Sequence, residues 1–185
     1  MGNNISISDF EVGNIIKNEF DGITRDLLKQ YAKASGDTNP IHINDEIAEK
    51  AGLKGVIGHG LFSFGFITKL FEELLDFEKG GKLIECGVQM RAVVRCGDTL
   101  VTKATVTKIE GKRVFFDIEQ RTITPIQIED DDGKILKKFE AAERGYISEK
   151  DRENDLIHTK QVSEGKLIYR DRLACPGNAI IELYD

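Results

Sequence analysis

Residues 58–75 read GHGLFSFGFITKLFEELL, and the spacing of their apolar side chains decides the architecture. Leu61, Phe62, Phe64, Phe66, Ile67, Leu70, Phe71, Leu74 and Leu75 leave the early turns of a helix with almost no polar face. A helix that is apolar all round has to be wrapped by other structure. The wrapping lies downstream, in strand-like runs at about Leu83 to Val94, Leu100 to Ile109, Arg113 to Ile128 and Lys134 to Ile147. Turns at Gly97-Asp98, Glu110-Gly111 and Asp132-Gly133 separate them. Thr102, Ala104 and Val106 alternate with Lys103 and Thr105, as a strand with one solvated face should. The simplest assembly is an α+β domain in which a curved antiparallel sheet wraps one central buried helix.

Upstream, a short lead with Ile5, Ile7 and Phe10 precedes Thr24, whose hydroxyl can cap a helix. Ile23, Leu27, Leu28, Tyr31 and Ala32 recur at helical spacing, with Arg25, Asp26, Lys29, Gln30 and Lys33 turned outward. Gly36 and Pro40 end this amphipathic helix, because proline lacks an amide donor and drives Asn39 out of helical dihedrals. Asn44 can cap a short helix through Ala51, with Gly52 as its stop. After Ile147 the character changes to a charged stretch, Glu149 to Asp155, and two weak strand-like pieces, Lys166 to Tyr169 and Ala179 to Leu183. Residues 1–148 therefore read as the domain and 149–185 as a C-terminal extension whose placement the sequence leaves open.

A chain of 185 residues, 40% of them hydrophobic, suits one domain with a real core. Lys69, Glu72 and Glu73 interrupt the longest apolar stretch, which falls short of the roughly 20 residues a spanning helix needs. No secretory pattern occurs between Met1 and Phe20, so a soluble, cytoplasmic protein is expected. Cys86, Cys96 and Cys175 form no Cys-x-x-Cys pair and read as reduced small hydrophobes. With 26 Lys and Arg against 32 Asp and Glu, net charge -6, the chain is a poor nucleic-acid binder. The run Asp130 to Asp132 reads as a solvated hairpin turn, since Ile128 stands where an EF-hand loop needs its first acidic ligand. His158, alone in the polar tail, reads as exposed.

The chemistry is concentrated in ASGDTNPIH, Ala34 to His42, followed by Gly58 to Gly65. Asp37 and His42 sit in a proline-bent loop after a helix, where both can converge on one point. An ordinary aspartate is ionised at neutral pH and an ordinary histidine mostly neutral, so one can take a proton from water while the other orients it or supplies a proton. The residues alone do not assign the roles. Gly58-His59-Gly60 precedes the buried helix, whose unpaired first amides and dipole favour developing negative charge. Gly60 has no side chain to obstruct a carbonyl oxygen, and its amide suits an oxyanion site.

These two segments closely resemble the motif of the MaoC-like hydratases and dehydratases, a family with the hot-dog fold that includes R-specific enoyl-CoA hydratases and 3-hydroxyacyl-thioester dehydratases. The likeness extends more loosely from Ile5 to about Ile147, including Gly97-Asp98-Thr99. It implies reversible hydration of a 2-enoyl thioester, on coenzyme A or acyl carrier protein, to an (R)-3-hydroxyacyl thioester. Asp37 and His42 would act on the catalytic water, Asn39 would support the site and the Gly60 amide would hold the thioester oxygen. His59, Leu61 and Phe62 are candidate substrate-lining residues, although His59 also suits a structural role and Phe62 the core. Many members carry methionine in place of Leu61 and a proline near Val93, differences that bear on the acyl pocket more than on the proton chemistry.

The sequence shows no metal or redox cofactor site; the resemblance implies a homodimer, with a heterodimer containing a related hot-dog subunit as the variant. Two other functions stay open. Hot-dog thioesterases commonly place a carboxylate on the central helix, whereas Leu61 to Leu70 has none. A chain that only binds the acyl group or stabilises a catalytic partner would not need an intact motif.

Overall fold

The computed structural model of the protein describes residues 5–184; residues 1–4 and 185 of the expected segments lie outside the described residues. The buried helix is α3 (Gly60–Leu75), and Phe62, Ser63, Ile67, Leu70, Phe71 and Leu75 are its buried positions. It packs against one antiparallel sheet of β1 (Ile15–Phe20), β2 (Gly81–Val88), β3 (Thr99–Glu110), β4 (Arg113–Glu129), β5 (Ile135–Lys138), β6 (Ile157–Val162) and β7 (Gly165–Leu183). The strand order is β1-β3-β4-β7-β2, with β5 also on β4 and β6 also on β7. Along β4 the side chains at Val114, Phe116, Ile118 and onward to Ile128 are buried at every second position. That period places one whole face of the strand toward α3 and its neighbours. Phe116 meets the edge of Phe71 at 5.2 Å between ring centroids and that of Phe10 at 6.1 Å. The expected wrapped helix is present.

Two short helices flank the loop of interest: α1 (Arg25–Ser35), capped by the Thr24 hydroxyl, and α2 (Asp45–Lys50), capped by Asn44. They enclose a second core of Ile23, Leu28, Ala48, Val56, Phe62, Val94, Cys96 and Leu100. An ionic clamp fixes their spacing. Arg25 bonds Asp45 at 2.8 Å and Glu140 at 2.6 Å, while Arg144 reaches Asp45 at 3.3 Å and Glu49 at 2.9 Å. Hydrogen bonding to Arg25 holds the Asp45 carboxyl below its ordinary range.

Two strand expectations need correction. The run expected from Leu83 to Val94 is regular only to Val88. Ala174 is an extra residue where the β4–β7 register slips between Gln120 and Arg121. Such a bulge bends its strand and breaks the ladder alongside. The segment after Val88 therefore follows β7 irregularly, with Gln89 N–H donating to Pro176 O and Arg91 N–H to Ala174 O. The strand expected over Lys134 to Ile147 is only β5, because α4 (Glu140–Glu143) follows at once, its Glu140 drawn into the Arg25 clamp. The segment 149–185, whose placement the sequence leaves open, contains α5 (Glu149–Glu153), β6 and β7. Here β7 runs between β4 and β2 and pairs with β4 from Arg113↔Glu182 to Glu129↔Lys166. His158 lies on β6, half-buried beside the Tyr169 ring, not exposed.

Charges inside β7 are compensated by a buried network. Arg170, 2% exposed, donates to Tyr146 O at 2.7 Å and approaches Asp151 at 3.5 Å; Arg172 pairs with the same carboxylate. Asp151 also accepts from Ser148 N–H, which closes a capping box on α5. The three cysteines are free thiols, and Asp130 closes the β4–β5 hairpin by accepting from Asp132 N–H and Lys134 N–H. No helix among the described residues is long and apolar enough to cross a membrane.

Candidate active site

The loop between α1 and α2 begins at Gly36, whose φ of 75° lies in the left-handed region that terminates helices. Asp37 follows, exposed, with its Oδ1 accepting from Asn39 N–H at 3.2 Å. Asn39 in turn accepts from Ile41 N–H at 3.3 Å and starts a single 3₁₀ turn, Pro40–His42. Asx turns of this kind shape a loop without outside help. The side chain of Asn39 is thus engaged in presenting His42.

His42 is half-buried, and its Nδ1 lies 2.8 Å from Ile57 O. A carbonyl can only accept, so Nδ1 carries the hydrogen and, in the neutral ring, Nε2 keeps the lone pair. His59, 2% exposed, stands at the position before α3 and places Nε2 3.0 Å from Asp37 O. The same logic protonates its Nε2 and leaves Nδ1 as an acceptor, which is buried without a partner among the described residues. The two imidazoles stack at 3.8 Å between centroids and 25° between planes.

Asp37, His42 and His59 each bring one ligand-type atom within 4.8 Å of the others. Such a set suits a water with several polar partners. Its donor types also suit a metal ion, although the sequence reading assigned none. The residues that could hold one are these three, with His42 Nε2 and His59 Nδ1 the nitrogens not engaged by carbonyls.

His42 and Gly60 line one cavity of about 230 Å³ with Ile57, Gly58, Ser63, Met90, Arg91, Ala92, Val93, Val94 and Cys175. Gly58 N–H donates to Val94 O at 2.7 Å, and Ile57 N–H to Ile41 O at 3.3 Å, so the segment before α3 is tied to both walls. Gln120, buried under the helix start, donates to Ser63 O at 2.9 Å and Thr102 Oγ1 at 3.1 Å. A Cβ built on Gly60 would overlap the Met90 sulfur. Burial pushes the Cys175 thiol up, which disfavours the thiolate a cysteine nucleophile needs.

The remaining candidates separate. Asp37 is absent from the cavity lining and meets the two histidines from an exposed position. Leu61 is 64% exposed and Phe62 is 8% exposed in the second core, against Tyr31 and Phe66; neither lines the cavity. Sequence reasoning missed Met90, Arg91 and Ser63. A regular strand through Val94 would not have turned Met90 and Arg91 toward the helix start, and only the Val93 position pointed that way.

Residues 12–130 match the MaoC like domain family. The (R)-specific enoyl-CoA hydratase of Rhodospirillum rubrum is 34% identical over 85 residues, 46% of this chain and 58% of that protein. The 3-hydroxybutyryl-CoA dehydratase of Methylorubrum extorquens is 32% identical over 107 residues, 57% of this chain and 66% of its own length. The chain thus spans less than two thirds of the length of each of these two relatives. The R-hydratase PhaJ1 from Pseudomonas aeruginosa superposes with a TM-score of 0.65 at 20% identity, covering 98% of this chain and 87% of that one, and carries the same hot-dog fold.

Proposed function

Because the chain belongs to the MaoC-like domain family, we propose that it is a hydro-lyase that reversibly hydrates 2-enoyl thioesters, on coenzyme A or acyl carrier protein, to (R)-3-hydroxyacyl thioesters. The observation that carries this reading is the convergence of Asp37 and His42 beside a cavity that His42 shares with Gly60. Hydration of a conjugated thioester requires a held water, a proton acceptor and a site for the enolate oxygen. Asp37 orients the water, and His42 Nε2 takes one proton as the oxygen bonds to C3. The double-bond electrons move toward the thioester oxygen, which the Gly60 amide at the start of α3 stabilises. His42 returns the proton to C2, so water is added across C2 and C3 with nothing left over.

The active unit we infer is a pair of chains. β2 ends the sheet with exposed Ile84, and Leu61 is exposed at the start of α3. Joining edges covers such strands. Homologous pairing makes a homodimer; pairing with a related subunit makes the heterodimer.

The test is loss of the conjugated-thioester absorbance of crotonyl-CoA and longer 2-enoyl-CoA substrates, with chiral analysis of the product. Turnover to the (R)-hydroxy product supports the reading. Free-thiol release without hydration would make the protein a thioesterase, and activity only after adding a related chain would make it the supporting subunit.

A further inference from the structure

β7 changes partner along one edge. β2 stops at Val88↔Gly177, and β6 starts at Ile157↔Arg170. Between these points no strand covers β7: Asp171 N–H donates to Leu156 O at 2.9 Å, and the irregular segment after Val88 crosses the rest, with the Arg91 and Ala92 amides on Ala174 O. A cleft of about 450 Å³ opens there, lined by Arg91, Ala92, Val93, Leu156, Arg172 and Leu173. Arg91, Ala92 and Val93 are also walls of the cavity that holds His42 and Gly60, so one three-residue partition joins the two spaces.

The cleft is cationic in a chain whose net charge is -6. Arg91 is exposed and bonds only Gln89 Oε1, at 2.7 and 3.1 Å, with no carboxylate within ion-pair distance among the described residues. Arg172 is tied to Asp151, yet its side chain keeps 26% exposure. Arg95 and Arg170 lie close enough to Arg172 to feel its charge. Asp98 and Asp151, both fully buried, face Arg95, Arg170 and Arg172, and Asp171 between the last two is paired with Arg121, so Arg91 is the cleft guanidinium left without a carboxylate among the described residues. A guanidinium without a carboxylate partner, open to solvent and beside a substrate cavity, suits a phosphate that it can bind with two N–H groups.

Resting on the hydratase reading for the identity of the ligand, we propose that the Arg91–Arg172 cleft binds the phosphate of the pantetheine arm that carries the thioester. That phosphate is common to coenzyme A and to acyl carrier protein. With the carbonyl at Gly60, the arm leaves past Ala92 and Val93 and ends its apolar course where Arg91 stands. Arg172 lies at the far wall, oriented by the buried Asp151.

The test uses Arg91→Gln and Arg91→Lys, since Arg91 is exposed and its loss leaves no buried charge. Calorimetric titration with 4′-phosphopantetheine and with phosphate-free pantetheine should show tighter binding of the phosphorylated arm, and Arg91→Gln should weaken that binding about tenfold, with Arg91→Lys in between. In turnover, the ratio of KM for crotonyl-pantetheine to KM for crotonyl-CoA should fall about tenfold in Arg91→Gln. A parallel comparison with crotonyl-acyl carrier protein separates the sources. Loss confined to crotonyl-CoA assigns the cleft to the nucleotide carrier, and loss on both assigns it to the shared phosphate. Equal affinity for both arms in the unaltered protein, or no change in Arg91→Gln, would overturn the proposal. If neither thioester is hydrated, the hydratase reading fails while the phosphopantetheine titration still decides the cleft.

Discussion

The rings of His42 and His59 stack 3.8 Å apart, and each donates to a backbone carbonyl on the other's segment, His42 to Ile57 O and His59 to Asp37 O. This exchange locks the Asp37 loop to the segment that starts α3. It also fixes both tautomers, since a carbonyl must receive a hydrogen. The nitrogen left with a lone pair on His42 is the one available to water.

Removing either group that acts on the water should therefore strike turnover and spare the fold. Asp37→Asn and His42→Ala should each lower kcat by about two to four powers of ten. Because both act on one water, the double variant should be little slower than the worse single one. Steady-state rates with matched circular dichroism check this; undiminished kcat in both variants would remove these residues from the chemistry.

His59 acts on that chemistry through position. His59→Phe keeps a flat ring for stacking but cannot donate to Asp37 O, so the loop loses its strap. A stability loss of about 1–2 kcal/mol is expected in urea unfolding, together with a drop in kcat that exceeds any rise in KM.

At Gly60 the restraint comes from Met90, whose sulfur occupies the space of a Cβ. Met90 is 53% exposed and unbranched, so Gly60→Ala should displace it for less than about 1 kcal/mol. The displaced thioether would crowd the carbonyl site and lower kcat/KM by about a hundredfold. Met90→Ala in the same chain should restore part of that loss, a coupling that a double-mutant cycle measures directly. Additive effects would mean that Met90 and Gly60 do not share the site.

The wrapped helix was legible because its early turns offer almost no polar face, and the loop because Asp37, Asn39, Pro40 and His42 combine turn chemistry with proton chemistry. β7 was not legible. Its run KLIYRDRLACPGNAIIEL carries Arg170, Asp171 and Arg172 in the middle and then Pro176-Gly177, which destroy any simple alternation. Those charges are tolerated only because Asp151, Tyr146 O and Arg121 lie opposite them, across 19 to 50 positions of chain. Such partners are invisible to local pattern. Leu61 and Phe62 lie outside the cavity lining for a related reason: adjacency to Gly60 in sequence says nothing about which way a helical side chain points.

The position of β7 bears on where the domain can be cut. A chain ended at Ser148 loses the strand between β4 and β2, and with it Ala174, Cys175, Ala179, Ile181 and Leu183 of the main core. Both β4 and the α3 face would then be open to water. No cooperative thermal transition is expected for residues 1–148, in contrast to the full chain. A well-folded fragment would mean that β7 packs on an already stable unit.

Asp98 offers a pH signature. It is fully buried, accepts from Arg95 N–H at 2.8 Å through Oδ2, and has no hydrogen-bond partner at Oδ1 among the described residues. Burial pushes its carboxyl up from 3.8 to about 6. The folded protein therefore holds this proton more tightly than the unfolded chain, and the associated stability is complete below pH 3.8 and lost as pH rises through about 6. Asp45, held low by Arg25, works in the opposite direction, so the whole-protein curve mixes signs. Comparison with Asp98→Asn isolates the group. Across this window the unaltered protein should lose about 2–3 kcal/mol relative to the variant, near 1.4 kcal/mol per pKa unit. Paired urea titrations at half-unit steps of pH read the difference, and a flat difference curve would mean that the Asp98 carboxyl keeps its ordinary acidity inside the fold.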